Sequence, residues 1–297
     1  MFVILKSNSE NPMLNINVSE LDHVMVDMSY TRPVTEPAKV RVFPPSSGRP
    51  IETPPRERVR VPVYDCRPIT AQLTLDEAGF QVLSHRSAFH DYYAAERVRA
   101  QYYAEAVALL KEVTGALAVF IFDHNVRNQT RSERGEAGVR LPVDGAHNDY
   151  TLSSGPRRIR EVLAANNASA LLGKRAALIN LWRPIVGPVQ DRPLAVCHAR
   201  ATKLSDFIPT EIQHFLEDNL ETPHLTGEIY SFQHSPEHRW FYLSDMQPDE
   251  AMLLKCFDTA DDGRAIFTGH TGFKNPACPP EFIPRESIEV RTVVVFP

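Results

Sequence analysis

Apolar residues fall into three kinds of run along this chain, and each kind predicts a different element. From Ala88 to Thr114, AFHDYYAAERVRAQYYAEAVALLKEVT sets Val98, Tyr102, Ala106, Leu110 and Val113 at intervals of three or four. An apolar stripe of that period predicts an amphipathic helix. RRIREVLAANN, from Arg157 to Asn167, predicts a second helix. Continuous apolar runs, ALAVFIF at Ala116–Phe122 and the Ala176–Trp182 part of KRAALINLWRP, predict strands buried on both faces. GEIYSFQH and HRWFYL alternate as antiparallel strands do, with SPE between them as a hairpin turn. AMLLKCFD, AIFTGH and SIEVRTVVVF continue that pattern, while LTLDEAGFQVL, Leu73 to Leu83, reads as a helical turn leading into a strand. Helices gather in the first half and strands in the second, without an internal repeat. The predicted class is mainly β with flanking helices, a sandwich or barrel rather than alternating βαβ units.

Prolines change this picture at the N-terminus. The stretch Arg32 to Pro68 is too rich in them for regular helix. Residues 1–68 therefore read as an extended arm ahead of a domain at 69–297, with KVRVF and RVRVPVY lying along the main body or along a second copy in a homodimer. The 297 residues, 43% of them hydrophobic, suffice for a sizeable core. A net charge of −5 argues against a nucleic-acid or anionic-membrane binder. Only Arg127 to Arg140, RNQTRSERGEAGVR, is locally basic, and its two glutamates and two glycines suggest a solvated loop or a mobile gate over a pocket. The four cysteines show no CxxC spacing, MFVILKSNSENP does not read as a signal peptide, and no run is long enough to span a membrane. A cytoplasmic protein is expected.

Candidate chemistry begins at VDGAHNDYTLS, Val143 to Ser153. On a strand, His147 and Asp149 would point to one face, as two donors to one metal must. The competing reading is a turn in which Asn148 and Asp149 bond their own backbone. His270, at the end of the strand-like run in RAIFTGHTGFKNP, is a third candidate donor or else a strand-end histidine bonded to backbone. Two imidazoles and one carboxylate on one face of an octahedron leave three positions open, which suits Fe(II) with a co-substrate and dioxygen. Fifteen residues after His270, Arg285 and Ser287 share a face of the last predicted strand. A guanidinium fork and a hydroxyl can grip a terminal carboxylate such as that of 2-oxoglutarate. Arg291 lies on the same face as a second anchor. The competing reading makes Arg285, Glu286, Glu289 and Arg291 an exposed cross-strand ion-pair ladder.

The ordered set FDHNVRN, AHNDYT, INLWRPIVGPVQDRPLAVC, FTGHTGF and RESIEVR resembles the Fe(II)/2-oxoglutarate-dependent oxygenases related to the cephalosporin 7α-methoxylase component and to fungal GA4-desaturase-like, AsaB-type hydroxylase/desaturases. The resemblance runs from about Ile69 to the C-terminus. It implies a double-stranded β-helix, the cupin-like jelly roll, and oxidation of a small natural-product-type substrate with release of succinate and CO2. It makes His147, Asp149 and His270 the iron ligands and Arg285 with Ser287 the 2-oxoglutarate anchor, with Asn180 and Arg291 beside that co-substrate. Trp182, Arg183, His124 and Arg127 would then face the substrate, although a buried strand with a structural tryptophan explains INLWRP equally well. Two positions depart from the family's pattern, Gly269 where proline is common and His198 where aspartate is common. Two other functions fit the same residues: a metal-dependent hydrolase using this triad, and a non-catalytic jelly roll that binds a ligand or a partner subunit.

Overall fold

In the computed structural model, which describes residues 16–297, the apolar and alternating runs form two facing sheets. MFVILKSNSENP lies outside the described residues. In chain order the strands are β1 (His23–Thr31), β2 (Ala38–Val42), β3 (Arg56–Asp65), β4 (Phe80–Ser84), β5 (Ala118–Asn128), β6 (Val139–Arg140), β7 (His147–Asn148) and β8 (Ala176–Pro184). They continue as β9 (Leu194–Cys197), β10 (Phe207–His214), β11 (Leu225–Phe232), β12 (Trp240–Tyr242), β13 (Glu250–Asp258), β14 (His270–Gly272) and β15 (Glu286–Val295). The larger sheet runs β1-β3-β12-β9-β14-β7-β11-β10-β2 and the smaller β4-β13-β8-β15-β5-β6. Pairing is antiparallel except at β2 with β10, β3 with β12 and β5 with β6. The expected jelly-roll core is therefore present.

The helices are α1 (Ala95–Arg97), α2 (Tyr103–Thr114), α3 (Gln129–Glu133) and α4 (Ser154–Ala165), with α1 and α2 joined through a π turn at Val98–Tyr102. The predicted first helix begins at Ala95 rather than Ala88, because Phe89 and Tyr92 turn inward against Tyr102 instead of continuing the stripe. It ends at Gly115, whose φ of +66° caps it in the left-handed region that glycine adopts without strain.

Alternation fixes where the core sits. Leu178, Leu254 and Val293 of the smaller sheet meet Leu194, Val196 and Phe241 of the larger in a layer between the sheets. The outer face of the smaller sheet, with Leu181, Ile288 and Val290, packs on Tyr102, Ala106 and Leu110 of the helical segment. A third cluster gathers Met28, Tyr30, Phe207, Phe232 and Trp240 on the larger sheet.

Three expectations are corrected. The region expected ahead of a domain at 69–297 is built into the larger sheet: KVRVF and RVRVPVY lie along the main body, as expected, in β2 and β3, and β1 joins them. SPE is not a hairpin turn, because β11 pairs with β7 and β10 while β12 pairs with β3 and β9. Alternation identifies a strand but not its partner. The basic stretch after Arg127 is not a featureless loop, since it holds α3, capped by the Asn128 side chain, and β6.

Candidate functional site

The two histidines are cross-strand neighbours. β7 and β14 lie side by side, and His147 pairs directly with His270. Their ring centroids are 4.5 Å apart. Asp149 follows β7 by one residue, so its side chain returns to the face of His147. Asp149 Oδ1 then stands 3.5 Å from His147 Nε2 and 3.8 Å from His270 Nε2. These three donor atoms all lie within 4.8 Å of one another, as the ligands of one metal ion do.

The surroundings prepare the donors. His147 Nδ1 donates to the Gly145 carbonyl at 2.8 Å, which places the remaining lone pair on Nε2. Burial and the neighbouring His147 push His270 down to about 4 against the pull of Asp149, so its imidazole is neutral at physiological pH. Burial raises the Asp149 carboxyl, but the contacts with His147 and His270 outweigh it and hold the group below the usual carboxylate range. A carboxylate oxygen and two imidazole nitrogens suit a divalent transition metal, so these residues fit Fe(II).

The opposite wall comes from the smaller sheet. Residues 287, 289 and 291 of β15 share a face with 180 and 182 of β8, and Arg285 immediately precedes that strand. Arg285 is buried and donates to the Arg192 carbonyl at 2.8 Å, while its Nε has no partner among the described residues. Ser287 Oγ is likewise buried without a partner among them. Burial, with repulsion from Arg127, pushes Arg285 down only to about 10, so it stays charged. A buried cation and hydroxyl with unspent donors fit the far carboxylate of 2-oxoglutarate. Trp182 lies beneath this guanidinium, 5.5 Å from ring centroid to Cζ. Arg291 already closes a two-pronged pair with Asp123, Nε to Oδ1 at 2.6 Å and Nη2 to Oδ2. Arg127 hydrogen-bonds the Leu141 carbonyl at 2.7 Å and lies close enough to Asp149, Glu289 and Arg285 for their charges to interact.

Two expected residues face elsewhere. Arg183 points to the helical side of β8, where Nη2 meets His85 Nδ1 at 2.7 Å and the guanidinium lies over Tyr102. His124 meets the Tyr103 hydroxyl at 2.8 Å, also on the helical side. Each is one residue out of phase with the inner face of its strand, which a resemblance carried over by motif does not register. In sequence Glu289 reads only as part of a surface ladder, whereas it is buried between the sheets and accepts from Asn180 Nδ2 at 2.7 Å. Its position two residues after Ser287 was the available signal.

Comparison with known proteins accounts for the arrangement. A family profile described as "Oxidoreductase/YMDC permease-like domain" matches residues 28–295. Among the described residues, no helix is long and apolar enough to cross a membrane. The hydroxylase/desaturase efuI of Hormonema carpetanum is 33% identical over 253 residues, 80% of this chain and 83% of that protein. The hydroxylase/desaturase asaB of Aspergillus flavus is 39% identical over 145 residues, 46% of this chain and 63% of that protein. A solved structure of the iron and alpha-ketoglutarate-dependent endoperoxidase NvfI superposes with a TM-score of 0.78 at 28% identity, covering 94% of this chain and 99% of that one. None of these three bears on the cephalosporin 7α-methoxylase side of the resemblance. With the family profile spanning most of the sequence and efuI matched along four fifths of it, the chain belongs to the family of the Fe(II)/2-oxoglutarate-dependent dioxygenases and hydroxylase/desaturases.

Proposed function

We propose that this protein oxidises an unactivated C–H bond of a small natural-product-type molecule, using Fe(II), 2-oxoglutarate and O2 and releasing succinate and CO2. One observation carries the reading. A two-histidine, one-carboxylate donor set stands on the larger sheet, and the smaller sheet brings up Arg285 and Ser287, whose Nε and Oγ have no partner among the described residues. A hydrolase using the same three ligands would have no need of that second feature.

Fe(II) with its co-substrates supplies the oxidising power, and the chain supplies position and environment. His147, Asp149 and His270 hold the metal. Arg285 and Ser287 grip the far carboxylate of 2-oxoglutarate. Trp182 packs against Arg285 and fixes that guanidinium in place. Arg291 is neutralised by Asp123, which leaves Arg285 as the anchor. Arg127 lines the substrate side of the site, whereas Arg183 and His124 brace the smaller sheet against its helix. The α3 and β6 segment, which follows Arg127 in the chain, is the element that would close over bound substrate and limit the entry of water.

A cytoplasmic setting accords with four free cysteines, three of them buried. Any homodimer through the N-terminal region would use β1 or β2, the two edge strands of the larger sheet. The reading is tested by succinate release from 2-oxoglutarate under air. Release should require added Fe(II) and vanish in His270→Ala, and metal-independent release would overturn it.

A further inference from the structure

The inner wall contains a second buried carboxyl group, and the hydrogen bond it accepts from Asn180 leads to the triad. Asn180 on β8 and Glu289 on β15 are diagonal neighbours, since Asn180 pairs with Arg291 and Trp182 with Glu289. Asn180 Nδ2 donates to Asp149 Oδ2 at 2.8 Å and to Glu289 Oε1 at 2.7 Å. An amide nitrogen carries two hydrogens, so each carboxyl takes one. The amide oxygen could not replace the nitrogen there without facing two acceptors. Glu289 therefore reinforces Asp149 in fixing which end of Asn180 faces them both.

That choice matters because a carboxylate turns freely about its last bond, a broad, roughly two-fold torsion. Such rotation would exchange the two oxygens of Asp149. With Oδ2 bound to Asn180, only Oδ1 is offered to the space between the imidazoles. Glu289 itself is 8% exposed, and among the described residues it forms no ion pair within 4.0 Å. Burying a second carboxyl beside Asp149 is costly, and its direct bond in return is to the residue that holds the ligand.

We infer that Glu289 is a positioning residue for the metal site, acting through Asn180 to present Asp149 by a single oxygen. The inference rests on the triad reading proposed above. Its consequence is that metal affinity depends on a residue that touches neither metal nor 2-oxoglutarate.

Co(II) titration of the apo protein, with bound metal counted after equilibrium dialysis, tests this, and circular dichroism checks the fold of each variant. Glu289→Leu should weaken Co(II) binding about ten-fold or more, the usual range for losing an outer-shell partner. Glu289→Gln, whose amide oxygen still accepts from Asn180, should stay within about three-fold of the parent. Asn180→Leu should weaken binding at least as much as Glu289→Leu, and the double variant should be no worse than Asn180→Leu alone. If leucine is not accommodated, Glu289→Ala replaces it in the same cycle. Parental Co(II) affinity in Glu289→Leu, or losses that add in the double variant, would overturn the inference. Parental affinity in His270→Ala would instead overturn the triad reading on which it rests.

Discussion

Arg285, just before β15, and Arg291, within it, are two residues of one type, and their partners separate them. Arg291 is matched by Asp123, whereas Arg285 is buried with a backbone carbonyl and an unsatisfied Nε. In 2-oxoglutarate titrations, Arg285→Ala should therefore lose about 2 kcal/mol or more, a tens-fold loss in affinity, and Arg291→Ala much less. A larger loss in Arg291→Ala would move the carboxylate deeper along β15. Gly269 shows the same dependence on partners. A Cβ there would stand 2.2 Å from the Phe232 ring, so Gly269→Ala should destabilise the protein by about 1–3 kcal/mol in chemical denaturation. A parental midpoint would show that the ring yields. Much of the triad was legible in sequence because its donors are chemically distinctive. The partners of Arg291 and Glu289 were not, because Asp123 and Asn180 approach from other strands.

At the scale of elements, runs of one period were readable and their boundaries were not. Ala176–Trp182 and the last strand announced themselves by apolar content, and β8 and β15 run side by side as a result. α3 is five residues long, too short for a period to show, and it depends on local bonds. Asn128 Oδ1 accepts from the Arg131 amide at 3.0 Å, and the Arg131 guanidinium stacks 3.7 Å above the Tyr93 ring. Removing the cap in Asn128→Ala should cost about 1 kcal/mol locally and speed amide exchange across Gln129–Glu133. Unchanged exchange there would mean that the stacked arginine alone holds the segment. β1 and β10 passed unread because their apolar positions are mixed with prolines and charges in the surrounding sequence. The false hairpin at SPE has a related cause, since partners in a jelly roll are set by the path of the whole chain.

For the molecule as a whole, buried imidazoles tie stability to pH. Burial, with the charge of Arg200, pushes His198 down to about 4, and His270 also stands at about 4. The unfolded chain takes up these protons as pH falls through about 6.5, before the folded protein does. Their contribution is therefore complete above that pH and is lost progressively as pH falls toward 4. The melting temperature of the apo protein should drop across this window, and His198→Asn should flatten part of the slope. An identical slope would assign the acid sensitivity to other groups.

The account as a whole depends on three side chains from β7, the turn after it and β14 acting as one metal site. Iron retained per chain after anaerobic loading with Fe(II) and desalting tests this most directly. The account predicts one Fe(II) per parental chain and a fraction of that in His147→Ala, Asp149→Ala and His270→Ala alike. One full equivalent retained by His270→Ala would contradict it.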